Sequence, residues 1–320
     1  MICQHCGAET SDNCNFCTYC GATIATQEGT HNLIGTPGYK LDLSKLLEDT
    51  FVLYKRNCGT MCLVGLIMFG ITLIFILLSV AMTVAAMAIR GAEGFSTLHF
   101  VIMGCHQILF PILQNLIQWY IMLGVIRQCL YLARGGVGFQ TTMMFPPFMM
   151  YLKMVGLMLL FFCIIYGVML LILLPAGIVC LIAYLAGMFA NNDPSVGAIV
   201  LIAGAILCCV IGVCAGVWVS IRLYLAQVFI ADQDAGIMDS MRYAWRITSG
   251  NFWMLLVAVF VLGMCSIVGI VLCVVGIILT IAIGWLGTTL VYLQLTGQPN
   301  GLDYAVMRQP MDALNQEPPV

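Results

Sequence analysis

The sequence predicts an all-α integral membrane bundle of about six transmembrane helices plus interfacial amphipathic helices, preceded by a small N-terminal zinc ribbon. Three observations predict it. Of 320 residues, 62% are hydrophobic and 8% are charged. Soluble domains carry about a quarter charged residues, so this chain lacks the charge to cover a water-facing surface and its solvent is lipid. Apolar runs long enough to cross a bilayer recur from Met61 onward. Ahead of them, the first 23 residues hold five cysteines at knuckle spacing.

The knuckles come first. Cys3-Gln4-His5-Cys6-Gly7-Ala8 and Cys17-Thr18-Tyr19-Cys20-Gly21-Ala22 both read C-x2-C-G-A. A tight turn lets two thiolates reach one ion, and the following glycine permits the backbone geometry. Cys3, Cys6, Cys17 and Cys20 therefore make a closed tetrahedral set for structural zinc, with no open position for catalysis. Cys14 is the complication, because Cys14-Asn15-Phe16-Cys17 is also C-x2-C; it is set aside as a ligand because only the pair Cys17 and Cys20 repeats the trailing Gly-Ala. His5 is a lesser rival, and a small disulfide knot is the alternative to a metal. This stretch resembles the short zinc ribbon that begins many bacterial membrane proteins, over residues 1–23. The resemblance implies a cytosolic zinc module. Residues 1–39 contain no Lys or Arg but include Glu9, Asp12 and Glu28, and the whole chain has a net charge of −2. Nucleic-acid binding requires cations, so the ribbon is expected to meet a protein partner. The other eleven cysteines are scattered through apolar runs, where thiols act as small hydrophobes.

Four regions follow: the ribbon over 1–22, a flexible linker over 23–40, a six-span membrane domain over 41–297, and a cytosolic tail over 298–320. Gly29, Gly35, Pro37 and Gly38 mark the linker, whose reach is about 24 Å. No secretory leader is read, because the first apolar run begins too late. Over 42–57, Leu43, Leu46, Leu47, Phe51 and Tyr54 share one face, which predicts an amphipathic surface helix. The spans are expected at 61–89, 98–132, 149–174, 196–230, 252–271 and 272–295. Pro175-Ala176-Gly177 is expected to break the third. Residues 178–190, too short to span upright, then form a kinked or re-entrant extension.

Charge sets the orientation. With six spans, eleven cations fall on one side: Lys40, Lys45, Lys55, Arg56, Arg127, Arg134, Lys153, Arg222, Arg242, Arg246 and Arg308. Arg90 alone falls on the other. The positive-inside rule puts both termini in the cytosol. A repeat is also legible. Leu130-Tyr131-Leu132-Ala133, Leu223-Tyr224-Leu225-Ala226 and Val291-Tyr292-Leu293-Gln294 each sit near the cytosolic end of an even-numbered span. Half-amphipathic stretches at 42–57, 139–152 and 236–250 precede the three hairpins. The competing account is that tyrosine favours the interface.

The segment over 231–256 is the most distinctive. Asp239 or Ser240 can cap a helix whose Met241, Tyr243, Ala244 and Trp245 meet lipid, while Arg242 and Arg246 reach lipid phosphates. Gly250-Asn251 ends it, and Phe252-Trp253 anchors the next span. The S-x-R-x-x-W … G-N-F-W pattern resembles a broad bacterial multi-pass group. That group includes the membrane domain attached to some glycerophosphoryl diester phosphodiesterases. The resemblance, over 42–297, implies a fold and a bacterial inner-membrane location. Phosphodiesterase activity does not carry over, because these 320 residues leave no room for that catalytic domain. The insertion around 175–195 departs from the simplest form of the pattern.

The mid-span regions hold no Asp, Glu or Lys, which argues against acid-coupled transport. Arg127 and Arg222 lie near span ends, where they can snorkel. Gln107, Gln114 and Gln118 recur on one face of the second span, with Pro111 on that side and His106 and Asn115 flanking. Such a stripe either bonds neighbouring helices or lines a path. Small-residue ladders at Gly204, Cys208, Gly212, Gly216, Ser220 and at Gly276, Thr280, Gly284, Thr288 favour close helix packing or a homo-oligomer. No catalytic motif is present. The expected function is a non-enzymatic membrane scaffold or regulatory docking protein. The alternative is a permease for a small neutral or amphipathic molecule.

Overall fold

The computed structural model describes residues 39–93, 103–191, 194–271 and 273–303. The four proposed zinc ligands, Cys14 and nearly all of the linker lie outside the described residues. The helices are α1 (Leu43–Arg56), α2 (Cys58–Glu93), α3 (Phe110–Ala133), α4 (Thr141–Met144), α5 (Phe148–Asn191), α6 (Pro194–Leu223), α7 (Ala226–Gln233), α8 (Ile237–Thr248), α9 (Phe252–Val271) and α10 (Cys273–Thr296). A single π-helical turn, Cys105–Leu109, leads into α3.

Among the described residues, five helical stretches are long and apolar enough to cross a membrane. Counting the bent pair α8–α9 as one span raises the number to six. The bend between α8 and α9 is 101°, so with α9 upright α8 lies along the membrane surface. α9 and α10 pack antiparallel, since Gly269 abuts Thr280 and Gly287 abuts Leu262.

Three expectations need correction. Pro175 does not break the third span: α5 runs unbroken for 44 residues, about 66 Å at 1.5 Å per residue. Proline removes one backbone donor, and apolar helices tolerate that loss within a membrane. Residues 178–190 are thus one continuous helix with their span. Second, the face of α1 is rotated from the one expected. Leu46, Asp49, Thr50 and Leu53 are buried, whereas Phe51 is exposed. The face is closed by polar partners: Thr50 Oγ1 donates to Leu46 O at 2.6 Å, and Asn300 Nδ2 donates to Asp49 Oδ2 at 2.7 Å. Third, the middle surface helix is only α4, four residues long, because Pro146-Pro147 stops it.

The core is concentrated at one end of the bundle. Leu46, Leu53, Leu123, Ile126, Leu132, Leu225, Ile230, Leu286 and Tyr292 are fully buried there. Away from it, the surface is apolar: Ile74 and Leu77 on α2, Leu170 and Leu171 on α5, and Ile206 and Leu207 on α6 are all exposed. That distribution fits lipid as solvent. Both small-residue ladders are used inside the chain. A Cβ at Gly212 would meet Met169 Sδ at 2.9 Å, one at Gly65 would overlap Ile278 O, and one at Gly269 would overlap Thr280.

Candidate functional site

The polar groups gather where the helix ends meet. α3 ends at Ala133, with Gly136 N bonding back to Tyr131 O and Gly135 at φ +92°. α10 ends the same way: Gln298 N bonds to Leu293 O and Gly297 sits at φ +68°. Each is a helix stop that requires a left-handed residue, which glycine supplies. The two stops place Arg134 and Gln298 side by side, and Arg134 Nη2 donates to Gln298 Oε1 at 2.7 Å. Gly301 touches the backbone of Gly135, leaving no room for a Cβ.

Arg134 also pairs with Asp232 of α7, Nη1 to Oδ1 at 2.7 Å. The side chains are 13% and 3% exposed. Tyr292 of α10 donates its hydroxyl to Asp232 Oδ2 at 2.9 Å, so both carboxylate oxygens are satisfied. Removing one member of such a pair strands the other charge, at a cost of about 3–5 kcal/mol. The expected fourth span ends at Ile230 and leaves Asp232 outside it, whereas the structure buries this carboxylate. The available signal was an acidic residue directly after an unbroken apolar run.

A second cluster binds the segment after α10 to α1. Asn300 reaches Asp49, and Lys45 Nζ pairs with Asp303 Oδ1 at 3.0 Å. Burial pushes the Asp49 carboxyl up, and the Asn300 hydrogen bond opposes the shift. The Asp303 hydrogen bond raises Lys45. At the start of α1, Asp42 accepts from Ser44 N and Lys45 N, which caps the helix and lowers its own carboxyl. Asn251, in the α8–α9 bend, donates to Tyr39 O at 2.9 Å and accepts from Leu41 N at 3.3 Å. Lys153 of α5 pairs with Asp234, just after α7, at 2.9 Å, and the whole polar cluster forms a platform. These contacts join the C-terminal ends of α3, α7 and α10 to the N-terminal ends of α1 and α5. Of the ten described cations that the charge pattern assigned to one side, Lys45, Arg134 and Lys153 make the ion pairs here.

Arg222, in the last turn of α6, stands apart. Its guanidinium carbon lies 5.5 Å from the Trp218 ring, 5.3 Å from Trp245 and 5.4 Å from Phe252. Nε and Nη1 are buried without a hydrogen-bond partner. Cation–π contacts return about 0.5–2 kcal/mol each, against a cost of several kcal/mol, in order of magnitude, for enclosing an uncompensated ion. Arg127 Nη1 is likewise buried without a partner. Of the α8 arginines, Arg242 is exposed and lies 3.9 Å from Asp239.

The stripe on α3 is not drawn together. Gln107 and Gln118 are exposed, Gln114 is half-buried, and Asn115 Nδ2 bonds to Pro111 O within its own helix. Ile108, Leu109, Ile112 and Leu113 around them are exposed too. His106 reaches Ser79 of α2, 3.0 Å from Nε2 to Oγ. The three repeated tyrosines converge on the platform: Tyr131 bonds Val137 O, Tyr224 bonds Thr288, and Tyr292 bonds Asp232. Among the described residues, no group of three or more His, Cys, Asp or Glu could hold a metal ion.

Fold and platform together define a multi-pass all-α membrane protein. Comparisons with protein-family models, with curated proteins and with solved structures find no match to this chain.

Proposed function

We propose that this is a non-enzymatic membrane docking protein. Its polar platform and zinc ribbon share the cytosolic side of a bacterial inner membrane, and the ribbon recognises another protein. One observation carries this reading: the described ion pairs and buried carboxylates are gathered at one end of the bundle, and the chain enters that end at Tyr39–Leu41, held by Asn251. A ribbon ahead of residue 23, on a linker reaching about 24 Å, would be within reach of the platform. The eleven-to-one charge split supports the cytosolic side. Cys3, Cys6, Cys17 and Cys20 would hold structural zinc, a closed set suited to shaping a recognition surface rather than to chemistry. The resemblance to the multi-pass group of some phosphodiesterase membrane domains fits a membrane module that serves other proteins.

The competing reading is a permease using the α3 stripe. Proteoliposome flux of small neutral and amphipathic solutes separates the two. The docking reading expects no saturable flux. Saturable flux that is lost in Gln114→Ala would establish the permease instead.

A further inference from the structure

We propose that Arg222 and its aromatic cage bind the phosphodiester of one anionic phospholipid. The inference is independent of the docking reading and of which side faces the cytosol. Lys45, Arg134, Lys153 and Arg242 each face a carboxylate. Arg222 faces three aromatic rings instead, with Nε and Nη1 enclosed and unpartnered. A guanidinium is charged at any accessible pH, so an anion is missing from its surroundings.

The depth of the site identifies that anion. Trp245 belongs to α8, which bends 101° away from α9, and Thr248 in the last turn of α8 donates to Arg222 O at 3.5 Å. Arg222 thus sits at the level of a helix lying along the surface, where apolar core gives way to headgroups. The abundant anion at that boundary is the lipid phosphate, which matches the planar donor fork of arginine. Trp218 and Trp245 meet edge to face at 5.2 Å and are 43% and 41% exposed, so a phosphate would enter from the outside of the bundle, with these two rings parting to uncover the enclosed Nε and Nη1. Tryptophan pairs of this kind favour the interface. Below the cage, on the face of α6 that carries Trp218 and Arg222, Cys214, Ile211 and Leu207 are exposed. They offer an apolar lane for acyl chains.

The test uses the full chain, delipidated in detergent and titrated with phosphatidylglycerol under native mass spectrometry. Diacylglycerol and inorganic phosphate serve as the two partial ligands. The site predicts one tightly held phosphatidylglycerol per chain. Arg222→Gln should weaken it about tenfold or more, the scale of one charged hydrogen bond. Lys55→Gln, at an exposed cation of α1, should change it by less than about twofold. Trp245→Leu keeps the charge, opens the cage and should also weaken binding. On the unmodified chain, phosphatidylglycerol brominated in its acyl chains should quench tryptophan emission saturably, and brominated diacylglycerol should not. Unchanged binding in a folded Arg222→Gln protein would overturn the proposal. So would diacylglycerol binding as tightly, which would mean an apolar groove alone. Displacement of the lipid by millimolar inorganic phosphate would mean a site for free anions.

Discussion

Asp232 is the residue on which three segments depend. Its two oxygens take Arg134 after α3 and Tyr292 of α10, and it reaches them from α7. Asp232→Asn should lower the unfolding free energy by about 3–5 kcal/mol, because Arg134 keeps its charge in a buried place. The double variant Arg134→Met, Asp232→Leu should be less damaging than either single change, and a thermal-melt cycle in detergent measures the coupling. Asp49 behaves differently. Burial raises its folded carboxyl value, so the protonated form favours the fold. That contribution is complete below the ordinary carboxylate value and is lost as pH rises through the raised one. Asp49→Asn should therefore melt at or above the parent temperature at neutral pH and lose the pH dependence. Asp49→Ala leaves the Asn300 amide without its acceptor and should cost about 1–3 kcal/mol. Melting curves of both variants across mildly acid to neutral pH decide it. These two carboxylates were poorly legible in the sequence. Composition marks them as polar residues beside apolar runs, but their partners, Arg134 and Tyr292 for Asp232 and Asn300 for Asp49, lie far away along the chain.

At the scale of elements, the spans were the most legible feature, because hydrophobic length is a local property. Phe252–Val271 and Cys273–Thr296 match the expected final pair to within a residue. The ladders were legible as close-approach faces, but which helix each would meet was not. The structure sets the α10 ladder region against α2 at Ile278 and α9 at Thr280, and Thr288 meets Tyr224 just after α6. Gly269→Val would drive a side chain into Thr280 and Gly276 O. Overpacking of this kind costs about 1–3 kcal/mol or more, so the variant should show a lower melting temperature while still inserting in the membrane. Pro175 shows the reverse limit. Soluble-helix rules end a helix there, whereas lipid around the helix makes breaking backbone hydrogen bonds more costly than accommodating one proline. Periodicity locates α1 but not its inward face, because Asp49 and Thr50 look like solvent-facing residues until their partners are placed.

At the scale of the whole molecule, the bundle is polar and tightly packed at one end and apolar at its flanks. Orientation rests on charge. An epitope tag inserted after Gly29 should be reached only in permeabilised cells, and one near Asn192 should be reached from outside; the opposite pattern would place the platform on the external face. The ribbon rests on cysteine spacing alone. Purified chain should carry about one zinc, lost in Cys3→Ser and kept in Cys14→Ser. The central claim joins the proposed parts: a zinc-shaped ribbon, tethered within reach of the platform, that recognises a protein. It is tested most directly by cross-linking in native membranes, comparing the full chain, its Cys3→Ser variant and a chain lacking residues 1–22. The account predicts that all three insert and melt alike, and that a discrete cross-linked species seen with the full chain disappears from the other two. The same cross-linked species in all three would contradict it.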